Sequence, residues 1–116
     1  MTEQEFNNEL KQFTGSDCLY KYILGLKISE GVKFSSEAAQ CWWYIDIIAS
    51  YQKDERVRDQ EFQTWTLTVE NSKGVVIATD GNRNELIRQN IPYTDFEYSE
   101  LTYWCVNGII LLATEY

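Results

Sequence analysis

The chain has 116 residues, with 10 Lys or Arg against 18 Asp or Glu, no histidine and a formal net charge of −8. That length holds one core and no second domain of ordinary size, and a composition 44% hydrophobic and 15% aromatic is too apolar for disorder. The missing histidine removes the commonest general base and metal ligand, and a sequence pI near 4.4 opposes direct binding to nucleic acid phosphates.

Thr2 and Glu5 have capping-box spacing, in which each side chain satisfies an orphan amide of the other. A short N-terminal helix over residues 3–13 follows, with Phe6, Leu10 and Phe13 on one stripe and Gly15 at its end. Residues 21–24 read as a strand. Leu26-Lys27-Ile28-Ser29 and Val32-Lys33-Phe34 alternate around Glu30-Gly31 as a hairpin. Ser35 and Ser36 are then natural N-caps for a major helix over residues 37–52. At 100° per residue Ala38, Cys41, Trp42, Ile45, Ile48 and Ala49 share its core face. Trp43, Tyr44, Ile47 and Tyr51 gather on the other side, a helix-packing or homodimer face.

Lys53 to Asp59 is a charged, solvated loop. Beyond it Trp65, Leu67 and Val69 alternate with Thr64, Thr66 and Thr68, and turns at residues 71–74 and 80–82 separate further strands. Asn107-Gly108 is a strong hairpin signal between strands at 101–106 and 109–113. The expected fold is α+β. An antiparallel sheet of about five to seven strands packs against one major helix, with a short N-terminal helix beside it, in a single domain spanning residues 1–116.

Few residues point to chemistry. Asp46 sits among Trp43, Tyr44, Ile45, Ile47 and Ile48, where burial would raise its pKa toward acid–base work. The alternative is a carboxylate that accepts from a neighbouring loop amide or a tryptophan indole N–H and fixes the helix. Asp80-Gly81-Asn82-Arg83-Asn84 opens like a calcium loop, but Glu85 and Ile91 occupy the positions that need glycine and a bidentate glutamate. Cys18, Cys41 and Cys105 each adjoin bulky residues and read as buried thiols. The six glycines form no phosphate-binding motif. No catalytic residue, cofactor or metal site is expected.

Charge is distributed more tellingly. Residues 1–58 carry 7 basic and 9 acidic side chains, a balance of −2; residues 59–116 carry 3 and 9, a balance of −6. Tyr93, Asp95, Phe96, Glu97, Tyr98 and Glu100 interleave aromatics with acids in the second half. Aromatics favour protein interfaces, and acids steer basic partners. This segment is the expected partner-binding site, unless its aromatics merely anchor a connecting loop.

Glu9 to Gly15, Gly31 to Lys33, Trp43 to Gln52, Pro92 to Phe96 and the closing Thr114-Glu115-Tyr116 together resemble a small bacterial, cyanobacterial and mobile-element family of unknown function. The resemblance implies a single cytoplasmic domain and no particular activity. The N-terminus is unlike a secretory signal, and no apolar run approaches a membrane span. The functional expectation is a non-enzymatic, cytoplasmic protein-binding module with a basic protein partner. It would be an accessory regulator, or an inhibitor of a host-defence protein that itself binds nucleic acid. The alternative is a small ligand-binding domain or enzyme using Asp46.

Overall fold

In this computed structural model, which describes residues 1–15 and 18–116, the chain runs α1 (Glu3–Leu10), β1 (Leu19–Lys21), β2 (Lys27–Ser29), α2 (Glu30–Ala38), α3 (Trp42–Ser50), β3 (Phe62–Glu70), β4 (Lys73–Thr79), β5 (Glu85–Ile91), β6 (Glu100–Val106) and β7 (Ile109–Leu111). Single 3₁₀ turns at Ile23–Gly25 and Ala113–Glu115 complete it. The strands form one sheet in the order β1-β2-β7-β6-β3-β4-β5.

Strict alternation gives β3, which lies between β6 and β4, one buried face. Gln63, Trp65 and Leu67 are buried, whereas Thr64, Thr66 and Thr68 lie on the opposite face. In register beside them, Tyr103 and Leu101 of β6 and Ala78 and Val76 of β4 continue the buried face. Helices α2 and α3 cover it. Tyr44 stacks on Tyr103 with ring centroids 5.1 Å apart, and the Tyr103 hydroxyl lies 2.6 Å from Ser35 Oγ. The Asn107-Gly108 turn has φ of 51° and 81°, the left-handed pair that a tight hairpin requires.

The sheet is mostly antiparallel, as expected, with one departure among the described pairings. β2 runs parallel to β7, with Ile28 beside Ile110, so the sheet is mixed. The major helix is also two helices. Gln40 adopts φ 52° between α2 and α3, a left-handed residue that ends one helix and restarts the next in a new phase.

Val32 to Phe34 is helix rather than a hairpin strand. Ser29 is the N-cap there, accepting from Val32 N at 3.2 Å, while Ser35 and Ser36 lie inside α2 and bond the Tyr103 phenol. Glu115 completes that helix start from the far end of the chain. It accepts from Ser29 Oγ at 2.5 Å, Gly31 N at 3.1 Å and Leu112 N at 2.9 Å.

Candidate functional site

Residues 92–99 join β5 to β6 and belong to no strand, yet they alternate as if they did. Thr94, Phe96 and Tyr98 are buried, while Tyr93, Asp95 and Glu97 are exposed. The inward residues hold the segment down. Tyr98 stacks on Phe6 of α1 with centroids 4.3 Å apart, and Phe96 meets Tyr98 edge-on at 5.7 Å. Thr94 N donates to Ser72 O at 2.9 Å. Phe96 and Tyr98 are therefore anchors rather than members of an accessible surface. Six candidate residues reduce to four outward ones: Tyr93, Asp95, Glu97 and Glu100.

The N-terminal helix adds acids that the sequence pattern had not joined to this segment. Glu3 accepts from Ser99 N at 2.9 Å and from Ser99 Oγ at 2.5 Å. The Tyr98 phenol is raised above its ordinary pKa by burial first, then by the charges of Glu97, Glu3 and Glu5. Those three carboxylates therefore share one neighbourhood. Among the described residues the ion pairs are Arg56–Asp54, Arg58–Asp59 and Arg88–Glu85, none of which neutralises this group. The hint available in the sequence was the capping box, which marks an acidic first turn but not its destination.

Two candidate groups meet in space. Trp43, in the first turn of α3, lines a shallow cleft of about 300 Å³ with Ile91, Tyr93, Thr94 and Asp95. Tyr93 is 72% exposed, so its ring stands at the mouth. The rest of the supposed outer helix face divides. Tyr44 is fully buried and donates its hydroxyl toward Trp65 O and Leu101 O. The break at Gln40 resets the helical phase and turns Tyr44 inward. Ile47 and Tyr51 are half-buried against the core, and Tyr51 Oη donates to Gln89 Oε1 on β5 at 2.7 Å.

Asp46 is exposed, and Oδ1 accepts from the Tyr22 hydroxyl at 2.5 Å. Burial, reinforced by that bond and by the carboxylate charge, pushes the Tyr22 phenol well above its usual pKa. The partner is thus a phenol rather than a loop amide or indole. Cys41 and Cys105 are buried, and burial pushes each thiol up to about 11; Cys18 is instead exposed. Asp80 Oδ1 accepts from Asn82 N and Asn84 N, at 2.8 and 3.0 Å, as a turn residue. Among the described residues no group of three or more Cys, Asp or Glu is placed to hold a metal ion. No described helix is long and apolar enough to cross a membrane.

The fold and site define an α+β protein with helices packed on one face of a mixed seven-stranded sheet, carrying an anchored acidic segment beside an aromatic cleft. The chain belongs to a family of unknown function, DUF6876, whose sequence model matches residues 4–116. No curated protein and no solved structure matches it.

Proposed function

We propose that this protein is a non-enzymatic binding module that docks a basic protein against Tyr93, Asp95, Glu97 and Glu100. In this reading it acts as an accessory regulator, or as an inhibitor occupying the nucleic-acid groove of a defence protein. The observation that carries the reading is the outward row of residues 93–97. A segment pinned by Phe96 and Tyr98 presents acids that form no ion pair with a cation among the described residues. Acids held in place act at long range on a basic surface, and the Trp43–Tyr93 cleft offers an aromatic contact at short range.

Affinity capture from native lysate, followed by titration of the captured partner at low and high salt, tests the proposal. Binding should weaken with salt and with the combined Asp95→Asn, Glu97→Gln and Glu100→Gln change. Nucleic acid should compete for the same partner. Binding indifferent to the triple change would remove the acidic segment from the argument. The alternative, a ligand-binding domain or enzyme built on Asp46, is supported by the exposure of that carboxylate and its Tyr22 contact. It requires Asp46→Asn to abolish a measurable activity.

A further inference from the structure

Strand β6 is longer than one of its neighbours. On one side it pairs with β3 along its whole length, from Glu100 opposite Thr68 to Val106 opposite Phe62. On the other side β7 reaches only Trp104, Cys105 and Val106. Past Leu111 the chain leaves the ladder for the 3₁₀ turn at Ala113–Glu115, drawn away by the bond between Glu115 and Gly31. Residues 100–103 are left with a strand on one side only.

The direction of the main-chain groups follows from three contacts. Tyr44 Oη lies 2.9 Å from Trp65 O and 3.1 Å from Leu101 O, and Val69 N donates to Ser99 O at 2.8 Å. The odd-numbered residues 99 and 101 thus direct their carbonyls toward β3. An antiparallel strand turns the N–H and C=O of alternate residues to opposite sides. Glu100 and Thr102 therefore aim theirs at the vacant side, where no strand, turn or cap among the described residues takes them up.

That side is a groove rather than open solvent. Glu3, Asn7 and Leu10 of α1 form one wall, and Glu100, Leu101 and Thr102 form the other, around about 310 Å³. The two bonds from Ser99 to Glu3 clamp the helix to the start of the strand, so the separation of the walls is set by the fold.

We infer that this groove receives an extended, lysine- or arginine-containing segment of a partner protein, which joins the sheet as an added strand on the free edge of β6. The inference rests on the docking reading above and names the form in which the partner is held. Main-chain bonds to Glu100 and Thr102 supply affinity independent of sequence, and alternate side chains supply selectivity. Residues opposite Glu100 and Thr102 project beside the Glu100 carboxylate, which favours lysine or arginine. The residue between them projects toward Leu10 and Leu101, which favours an aliphatic side chain. An unpaired edge invites any strand, and charge is the usual guard. Here the guard is acidic, so it repels a second copy of this −8 chain and admits a basic segment.

A blocked, fluorescent pentapeptide alternating lysine and valine is the probe, used at low salt with amide hydrogen exchange as the second readout. Its binding should slow exchange at the Glu100 and Thr102 amides. N-methylation of the peptide amides that face β6 should weaken binding by about tenfold or more, as should replacing its lysines with glutamates. Asn7→Trp, at an exposed helix position, should block the groove while leaving the fold intact by circular dichroism. Thr102→Pro removes one outward N–H without touching the β3 ladder. Failure of the peptide to bind, equal binding after N-methylation, or protection elsewhere in the sheet would each overturn strand addition. If Asn7→Trp spares capture of the native partner while the triple acidic change abolishes it, the groove is wrong and the docking surface stands. Loss with both supports the groove.

Discussion

The carboxylate of Glu115 accepts the amide of Gly31 at 3.1 Å, joining positions 84 residues apart. The same group takes Ser29 Oγ and Leu112 N, so one buried side chain closes the start of α2 and ties down the C-terminal turn. Glu115→Ala leaves three donors without an acceptor and should cost about 2–4 kcal/mol, because an unsatisfied buried donor is more expensive than a made bond is favourable. Glu115→Gln keeps the shape and should cost less. Gly31→Ala acts from the other side: its Cβ would stand 2.5 Å from Leu112 Cδ1 and 2.7 Å from Glu115 Oε1. Urea midpoints at constant slope measure all three. A midpoint unchanged in Glu115→Ala would show that the clasp contributes nothing.

Outward and inward residues of the acidic segment should separate cleanly by stability. Tyr93→Ala removes a ring that is 72% exposed and should stay within about 0.5 kcal/mol of wild type. Phe96→Ala removes a buried ring and should lose about 3 kcal/mol or more. Tyr98→Ala belongs with Phe96, since it also breaks the 4.3 Å stack on Phe6. Partner capture should respond in the opposite order, falling with Tyr93→Ala in a protein that remains folded. Equal losses of stability at Tyr93 and Phe96 would contradict the alternation.

Local signals were legible where their consequences were local. Thr2 and Glu5 form the capping box that their spacing announces, Asn107-Gly108 turns as expected, and the threonine alternation in β3 is strict. Failures share a cause in long-range contact. Glu30-Gly31 reads as a turn because nothing nearby reveals that Glu115 will sit above Gly31 and make room for a helix. The parallel pairing of β2 with β7, Ile28 with Ile110, depends on chain that follows 82 residues later. Gln40 breaks the helix with neither glycine nor proline to mark it, and Tyr44 consequently moves from the outer face to the core. At the site, the acids of residues 95–100 were legible, but the joining of Glu3, Glu5 and Trp43 to them needed the fold.

Alkaline pH should destabilise the protein. Cys41 and Cys105 are each raised from the ordinary value near 9 to about 11 by burial. Below pH 9 both folded and unfolded thiols are neutral and the contribution is fully present. Between pH 9 and 11 the unfolded thiols ionise while the folded ones stay protonated, so the unfolded state binds fewer protons and stability falls. Two pKa units correspond to roughly 2–3 kcal/mol per thiol at the top of that range. Tyr44 and Tyr103, raised by burial as well, add a loss of the same sign at higher pH. Urea titrations from pH 8 to pH 11 should show this slope, and Cys41→Ala with Cys105→Ala should flatten it. The same burial should leave both thiols unreactive toward alkylating reagents until the chain unfolds.

Asp46 and Tyr22 provide a test that also bears on the alternative function. The Tyr22 phenol is raised first by burial and then by its bond to Asp46, with the ring stacked 5.8 Å from Trp42. Asp46→Asn removes the charge and keeps an acceptor, so Tyr22 should ionise at a lower pH than in the wild type while remaining above its ordinary value. Ultraviolet phenolate absorbance, read as the difference between each protein and its Tyr22→Phe counterpart, isolates this group from the other tyrosines. The stability consequence has a definite sign. A raised phenol favours the folded state at neutral pH, and the advantage fades as pH climbs through the folded value. Asp46→Asn should therefore make stability less sensitive to alkali and change it by no more than about 1 kcal/mol at pH 7, as expected of an exposed hydrogen bond. Partner capture unchanged by Asp46→Asn would agree with a structural carboxylate, whereas a lost activity in a protein of unchanged stability would make Asp46 functional.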